Sequence, residues 1–513
     1  MALLPVADTT QLLFPVVPAA PDASGPGARR PDDARLFLDA DLGAVAFQRR
    51  VLEEVRDERN PVLERVRFLA ILGANLMVLG ARRRLAAAAQ HLWREAGAYA
   101  ARALYPELAA LGVEPPPLDE MPDAHGLVLL WNITQIARPD LCHPRIHPRD
   151  AVGTDVFAAI RERDRLLHHP YDSFAPVVNL IRQAAADPDV TDIALTVYRT
   201  DRDSPIGQAL LDALQRGTRV HAVVELRARR DEENNARWAA ALRRAGAHVT
   251  YGIVGLKVHA KLAVITRREG AATRRYVHVS SGNYHAGTSQ AYTDVALLTC
   301  DEAVASDASG LLAFLGGGGD TAAFGRLVVA PFSLRRRLRD LVAREIEWSR
   351  AGRGGHIVLK MNALTDRRVI HQLYEASQAG VRVDLIVRGA CCLRPGVPGL
   401  SDRIHVRSVV GRFLEHSRIW SFGNGGRGDV YIGSADVRPR NLDRRVEVMV
   451  PIADAALARS IRQGILATYL ADTASARLLA DDGRYVRPSP RPGERAVSSQ
   501  LAFLAAASAG GAA

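Results

Sequence analysis

Cysteine is scarce in this 513-residue chain: four residues, Cys142, Cys300, Cys391 and Cys392. So few at this length exclude a disulfide framework. The adjacent Cys391–Cys392 pair has neither disulfide geometry nor a zinc-ligand spacing. A reducing, cytoplasmic setting is therefore expected. Aromatic residues amount to 6%, which excludes a surface dominated by base-stacking platforms. No apolar run reaches the ~18 residues of a membrane span. The apolar opening Met1 to Ala20 lacks the basic start of a secretory signal and carries Asp8. Two nucleotide signatures are also missing: Gly-x-x-x-x-Gly-Lys-Ser/Thr, and a strand-linked Gly-x-Gly-x-x-Gly.

Lysine is nearly absent. Of 67 basic residues only Lys257, Lys261 and Lys360 are lysines; all others are arginine. Two of the three flank His259. Lysine is a compact charge that can follow a moving phosphoryl group, whereas arginine is a planar fork, so retention of lysine here points to a need for an ammonium. The net charge of +11 favours a polyanionic partner.

Residues 1–40, rich in Pro, Ala, Gly and Asp, read as a loose tail. Residues 41–117 have helical periodicity, with Pro61 placed to open a second helix, and form a small all-helical domain. Glu114-Pro115-Pro116-Pro117 ends it, and the proline-containing stretch 118–150 reads as a connector. From Asp155 onward strand-like runs such as Ile193–Tyr198 and Val220–Leu226 alternate with helical ones, which predicts a parallel α/β sheet.

That α/β module repeats. Gly217-Thr218-Arg219-Val220 matches Gly380-Val381-Arg382-Val383. His248-Val249 and His405-Val406 each begin eleven residues before a second histidine, His259 and His416. A basic residue follows each at +2, in His259-Ala260-Lys261 and His416-Ser417-Arg418. Small-residue turns come next, Ser281-Gly282-Asn283 and Gly433-Ser434-Ala435-Asp436. The modules span 151–330 and 331–500, with 501–513 as a terminal tail. Face to face, they bring both histidines into one cleft. A neutral imidazole is a good nucleophile, and residues i and i+2 of a strand share a face, placing Lys261 beside His259. The Ser281-Gly282-Asn283 turn offers donors to an oxyanion. Arg199, Arg229 and Arg388 stand at strand ends, where open α/β sheets bind ligands. With Lys360, Arg418, Arg440 and Asn283, candidate contacts for a polyanionic polymer, they would line a cationic channel.

The segments Phe157 to Asp164, His168 to Phe174, Tyr198 to Pro205, Glu225 to Asn235, Gly255 to Lys261, Val387 to Gly396, Phe413 to Arg418 and Arg440 to Arg445 together resemble the bacterial polyphosphate kinase family, within the phospholipase D-like superfamily. Residues 41 to 95 match more loosely. The resemblance implies an α/β fold of two tandem phospholipase D-like domains behind the helical one. It also implies reversible transfer of the ATP terminal phosphate to polyphosphate through phospho-His259, with Lys261 and His416 as further catalytic groups. His416, Arg388, Tyr292 and Asn75 match nucleotide-holding positions. Arg199 and Arg229 match positions the family associates with magnesium, where a guanidinium can clamp phosphate but cannot ligate a cation. Mg2+, ATP or ADP and polyphosphate are the implied cofactor and partners, with no nucleic acid. The implied location is the cytoplasm or the periphery of the inner membrane. Most of the family's head domain has no counterpart between the helical region and Asp155, so 118–150 is its remnant, and homo-oligomer formation through it is put in question. Two other readings stay open: a weakly active paralogue that binds polyphosphate or nucleotide, and a phosphodiesterase. Against the latter, Thr266 stands where such enzymes place an aspartate.

Overall fold

The computed structural model describes residues 33–118, 125–198, 201–226, 232–318 and 324–509. Asp39 caps the first long helix, its carboxylate accepting from the Asp41 and Leu42 N–H groups; this is helix α1 (Ala40–Arg56). Pro61 immediately precedes α2 (Val62–Gly80), as its fixed φ favours. These helices and α3 (Ala86–Tyr99) bury Leu52, Val55, Leu63, Leu69, Leu92 and Trp93 against one another.

The expected connector 118–150 contains a further helix, α4 (His125–Ala137), which lays Leu127 on this bundle. Its prolines, Pro122, Pro139, Pro144 and Pro148, bracket a proline-free apolar run that is free to coil. The expected tail also differs from what is found. Leu36, Phe37 and Leu38 are buried in the core of the second module. The Leu36 carbonyl accepts from Tyr374 Oη at 2.7 Å, and the Leu38 N–H donates to the Cys392 carbonyl at 2.8 Å. At the other end α5 (Ser499–Ala509) forms where a tail was expected, with Phe503 and Ala507 in the core.

The first module contains β1 (Arg165–His169), β2 (Val190–Val197), β3 (Arg219–Val224), β4 (His248–Thr250), β5 (Lys257–Val258), β6 (Lys261–Glu269), β7 (Ala272–Ser280) and β8 (Tyr292–Thr299). Its sheet runs β1-β8-β7-β6-β2-β3-β4. Only β2, β3 and β4 are mutually parallel. The expectation of a parallel sheet is thus corrected to a mixed one. Gly270, at φ +62°, begins a two-residue turn between β6 and β7, and so tight a connection enforces antiparallel pairing.

The second module contains β9 (Val328–Ala330), β10 (His356–Met361), β11 (Arg382–Val387), β12 (Ile404–Val409), β13 (Leu414–Glu415), β14 (Arg418–Phe422), β15 (Asp429–Gly433), β16 (Arg445–Pro451), β17 (Ala476–Leu479) and β18 (Tyr485–Val486). Its sheet runs β18-β17-β12-β11-β10-β14-β15-β16-β5, with β9 also on β16.

Two short strands cross between the modules. β5 pairs parallel with β16, matching Val258 to Val446, and β13 pairs parallel with β8, matching Glu415 to Thr293. Each exchange ends one residue before a site histidine.

Candidate active site

The β5–β16 pairing delivers His259 to an acid of the other module. His259 Nδ1 lies 2.8 Å from Glu447 Oε2 on β16. Glu447 is fully buried, and it also accepts from Ser434 Oγ at 2.5 Å and Asn441 Nδ2 at 2.7 Å. With Nδ1 donating to this carboxylate, the lone pair of the ring lies on Nε2, which has no hydrogen-bond partner among the described residues. Burial pushes the His259 pKa well below its ordinary value, and the Lys261, Arg418 and Arg445 cations push the same way. The ring is therefore neutral at neutral pH, as a nucleophile requires.

The same construction recurs with the modules exchanged. The β13–β8 pairing brings His416 Nδ1 to 2.8 Å from Asp294 Oδ1, and Ser281 Oγ donates to the same oxygen at 2.6 Å. Burial, then Arg418, lowers His416 to about 4. Burial opposes ionisation of Asp294, but His416, Ser281 and Arg418 outweigh it and hold the carboxyl at about 2. Gly282 is required here: a Cβ would stand 2.6 Å from Asp294 Oδ2. These acids escape sequence reasoning because they lie far from their histidines. A signal does exist: Ser281 precedes Asp294 by thirteen residues, and Ser434 precedes Glu447 by thirteen.

The expected oxyanion role of Ser281-Gly282-Asn283 does not fit the backbone. The Ser281 N–H donates to the Val295 carbonyl and the Gly282 N–H to Ser280 Oγ. Asn283 Oδ1 is buried without a partner among the described residues, but it is an acceptor, so only the amide NH2 of this side chain can serve a phosphate oxygen.

Lys261 is 1% exposed, with its ammonium donating to the His259 carbonyl and lying 4.7 Å from the Tyr198 ring centroid. Burial pushes its pKa well down, opposed by Glu447. The Tyr198 ring meets the His259 ring edge-on at 4.9 Å. Lys360 does not fit the expectation of a polymer contact. It is 2% exposed, 2.7 Å from Glu415 Oε2, and donates to Ser417 Oγ at 2.7 Å.

Asn75, Tyr292, Arg388, His416, Arg418 and Arg440 line one cleft of about 850 Å3 between the helical bundle and the second module. The Tyr292 ring lies 5.3 Å from that of His416. Arg388 Nε is buried without a hydrogen-bond partner, and Arg418 Nη1 donates to the His416 and Ser281 carbonyls at 2.8 and 3.2 Å. Burial, then Arg438 and Arg445, lowers Arg440 to about 10. Arg199 and Arg229 lie outside the described residues.

The site's acids do not fit a protein-held magnesium ion. Among the described residues no three His, Cys, Asp or Glu side chains converge as metal ligands. Asp294, Glu415, Glu447 and Asp436 are each engaged by a histidine, lysine or arginine.

Models of three polyphosphate kinase domains match the chain: the N-terminal domain over residues 37–91, C-terminal domain 1 over 155–320, and C-terminal domain 2 over 327–500. The chain belongs to the polyphosphate kinase family. A polyphosphate kinase from Prosthecochloris aestuarii is 48% identical over 394 residues, 76% of this chain and 55% of that protein. One from Thermosynechococcus vestitus is 51% identical over 346 residues, 67% and 47% of the two chains. The crystal structure of polyphosphate kinase from Porphyromonas gingivalis superposes with a TM-score of 0.80 at 26% identity, over 93% of this chain and 99% of that one. The chain thus has the fold of this family, yet it spans about half the length of the curated relatives it matches.

Proposed function

We propose that this protein transfers the terminal phosphate of ATP reversibly to inorganic polyphosphate through a phosphohistidine at His259. The observation that carries this reading is the His259–Glu447 pair, which occupies Nδ1 and leaves a neutral Nε2 in a water-poor site. Nε2 attacks the γ-phosphorus. The bond from phosphorus to the β,γ-bridging oxygen breaks, and ADP leaves with that oxygen and its electron pair. Glu447 balances the positive charge that develops on the ring. A terminal polyphosphate oxygen then attacks the same phosphorus, the Nε2–P bond breaks, and the neutral imidazole returns.

In this reading Asn75, Tyr292, Arg388 and His416 hold the nucleotide, and Arg418, Arg440 and Asn283 receive phosphate oxygens. Magnesium supplies charge neutralisation as a companion of the substrate phosphates rather than as a ligand of these carboxylates. We place the protein in the cytoplasm, a setting that its four unpaired cysteines suit; no helix among the described residues is long and apolar enough to cross a membrane.

The test is incubation with γ-labelled ATP and magnesium. Acid-labile, base-stable label is expected on the protein, and His259→Ala should lose both label and polymer synthesis. Normal turnover by that variant would refute the mechanism.

A further inference from the structure

A second large cleft, of about 1000 Å3, lies in the second module away from the histidines. β16 runs from Glu447 at the site to Pro451 at this cleft, four residues on or about 13 Å along the strand. Six arginines line it: Arg326, Arg336, Arg337, Arg427, Arg459 and Arg462. Two aspartates also line it, but both are engaged by arginines outside it, Asp429 by Arg344 at 2.7 Å and Asp340 by Arg339 at 2.9 Å. The cleft arginines are thus left without carboxylate partners among the described residues.

Two of the arginines are also held in place. Arg462 packs so closely on Gly428, at φ +75°, that a Cβ there would meet its Nη1 at 1.8 Å. Arg337 donates to Tyr431 Oη at 2.9 Å. Six like charges left unneutralised around one concavity repel one another, and a polyanion relieves that cost. The aromatic side chains lining the cleft are Phe324 and Tyr431, two against six arginines, and each also packs on a neighbouring ring, Phe332 or Trp420, so charge rather than base stacking dominates the wall.

The geometry points to a second polyphosphate-binding site here, one that anchors a stretch of the same polymer while its end reaches His259. This rests on polyphosphate being the substrate. Anchoring raises the local concentration of chain ends, so long polymer should bind more tightly than either cleft alone allows.

The experiment compares binding of long-chain polyphosphate to the full chain and to the double variant Arg336→Gln/Arg459→Gln across a salt series. Both side chains are exposed, so their replacement removes charge without removing core. Arg350→Gln, at the end of the same helix (Leu334–Arg350), exposed and outside the cleft, is the control. The double variant should bind roughly ten-fold more weakly, and the slope of log affinity against log salt should fall by about 1.5, two contacts' worth. Arg350→Gln should change neither.

An equal loss in Arg350→Gln would replace the cleft by a diffuse field and overturn the proposal. So would full binding by the double variant, or displacement of the polymer by inorganic phosphate at equal phosphorus concentration, which would mark a single-phosphate site. Equal loss of single-stranded RNA binding in the double variant would mark a generic polyanion site and overturn it too. If the unmodified chain bound no polyphosphate, the substrate reading itself would fail; if it bound and the double variant matched it, only the second site would fail.

Discussion

Replacing Glu447 by glutamine removes a charge from beneath His259 while preserving the shape of the contact. Glu447 accepts from three donors: His259 Nδ1 and Ser434 Oγ on one oxygen, and Asn441 Nδ2 on the other. A glutamine oxygen can keep facing His259 and Ser434. Its NH2 then meets Asn441 Nδ2, and turning the Asn441 amide resolves the clash, because Asn441 Oδ1 is buried without a partner. The fold should therefore survive with its hydrogen bonds re-paired. What disappears is the carboxylate charge 2.8 Å from a ring that turns cationic as Nε2 bonds phosphorus. A charge-assisted bond exceeds a neutral one by roughly 1–1.5 kcal/mol, which slows phosphorylation about 5–12-fold. The assay is single-turnover labelling by γ-labelled ATP at saturating nucleotide, with nucleotide affinity measured separately. Affinity should hold, since Glu447 does not line the cleft of Asn75 and Arg388. Labelling at the unmodified rate would refute the reasoning. So would a slow rate that merely tracked a fall in melting temperature.

Lys261→Arg should slow labelling at least ten-fold, about 1.4 kcal/mol, because a larger fork must enter a site that is 1% exposed; equal rates would undo the argument from scarce lysine. Lys360→Met should cost about 3 kcal/mol in urea unfolding by leaving Glu415 buried without its cation, and should spare polyphosphate affinity; a selective loss of affinity would put Lys360 back in the channel. His416 titrates at about 4 in the folded protein against ~6.5 unfolded, so the unfolded chain takes up the proton first. Stability should then fall as pH drops through 6.5 towards 4, with this group costing about 2 kcal/mol by pH 5. A urea midpoint no lower at pH 5 than at pH 7 would contradict that.

Much of the site was legible in the residues. His259-Ala260-Lys261 and His416-Ser417-Arg418 stand in duplicated surroundings, and apolar strand runs separated by helical periods marked out two α/β modules, because side-chain periodicity is a local property of the chain. Sheet direction was less legible: a Gly270 turn decides it for β6 and β7, whereas a buried strand reads the same in either direction. Leu36, Phe37 and Leu38 look like part of a loose tail until the surface that covers them is known.

The two His-x-basic motifs, the near-exclusion of lysine and the alternation of strand and helix are all written within a few residues of one another. Which acid serves which histidine is settled by folding. Glu447 lies 188 residues from His259, and Asp294 lies 122 from His416. Each pair exists because a two-residue strand from one module pairs with a strand of the other in a single register. Tertiary structure likewise turned Lys360 inward to Glu415. The physical reason is the same in each case: hydrogen-bond and charge partners are chosen by proximity after the chain has folded, and nothing in a residue's neighbours along the chain encodes what will be buried against it.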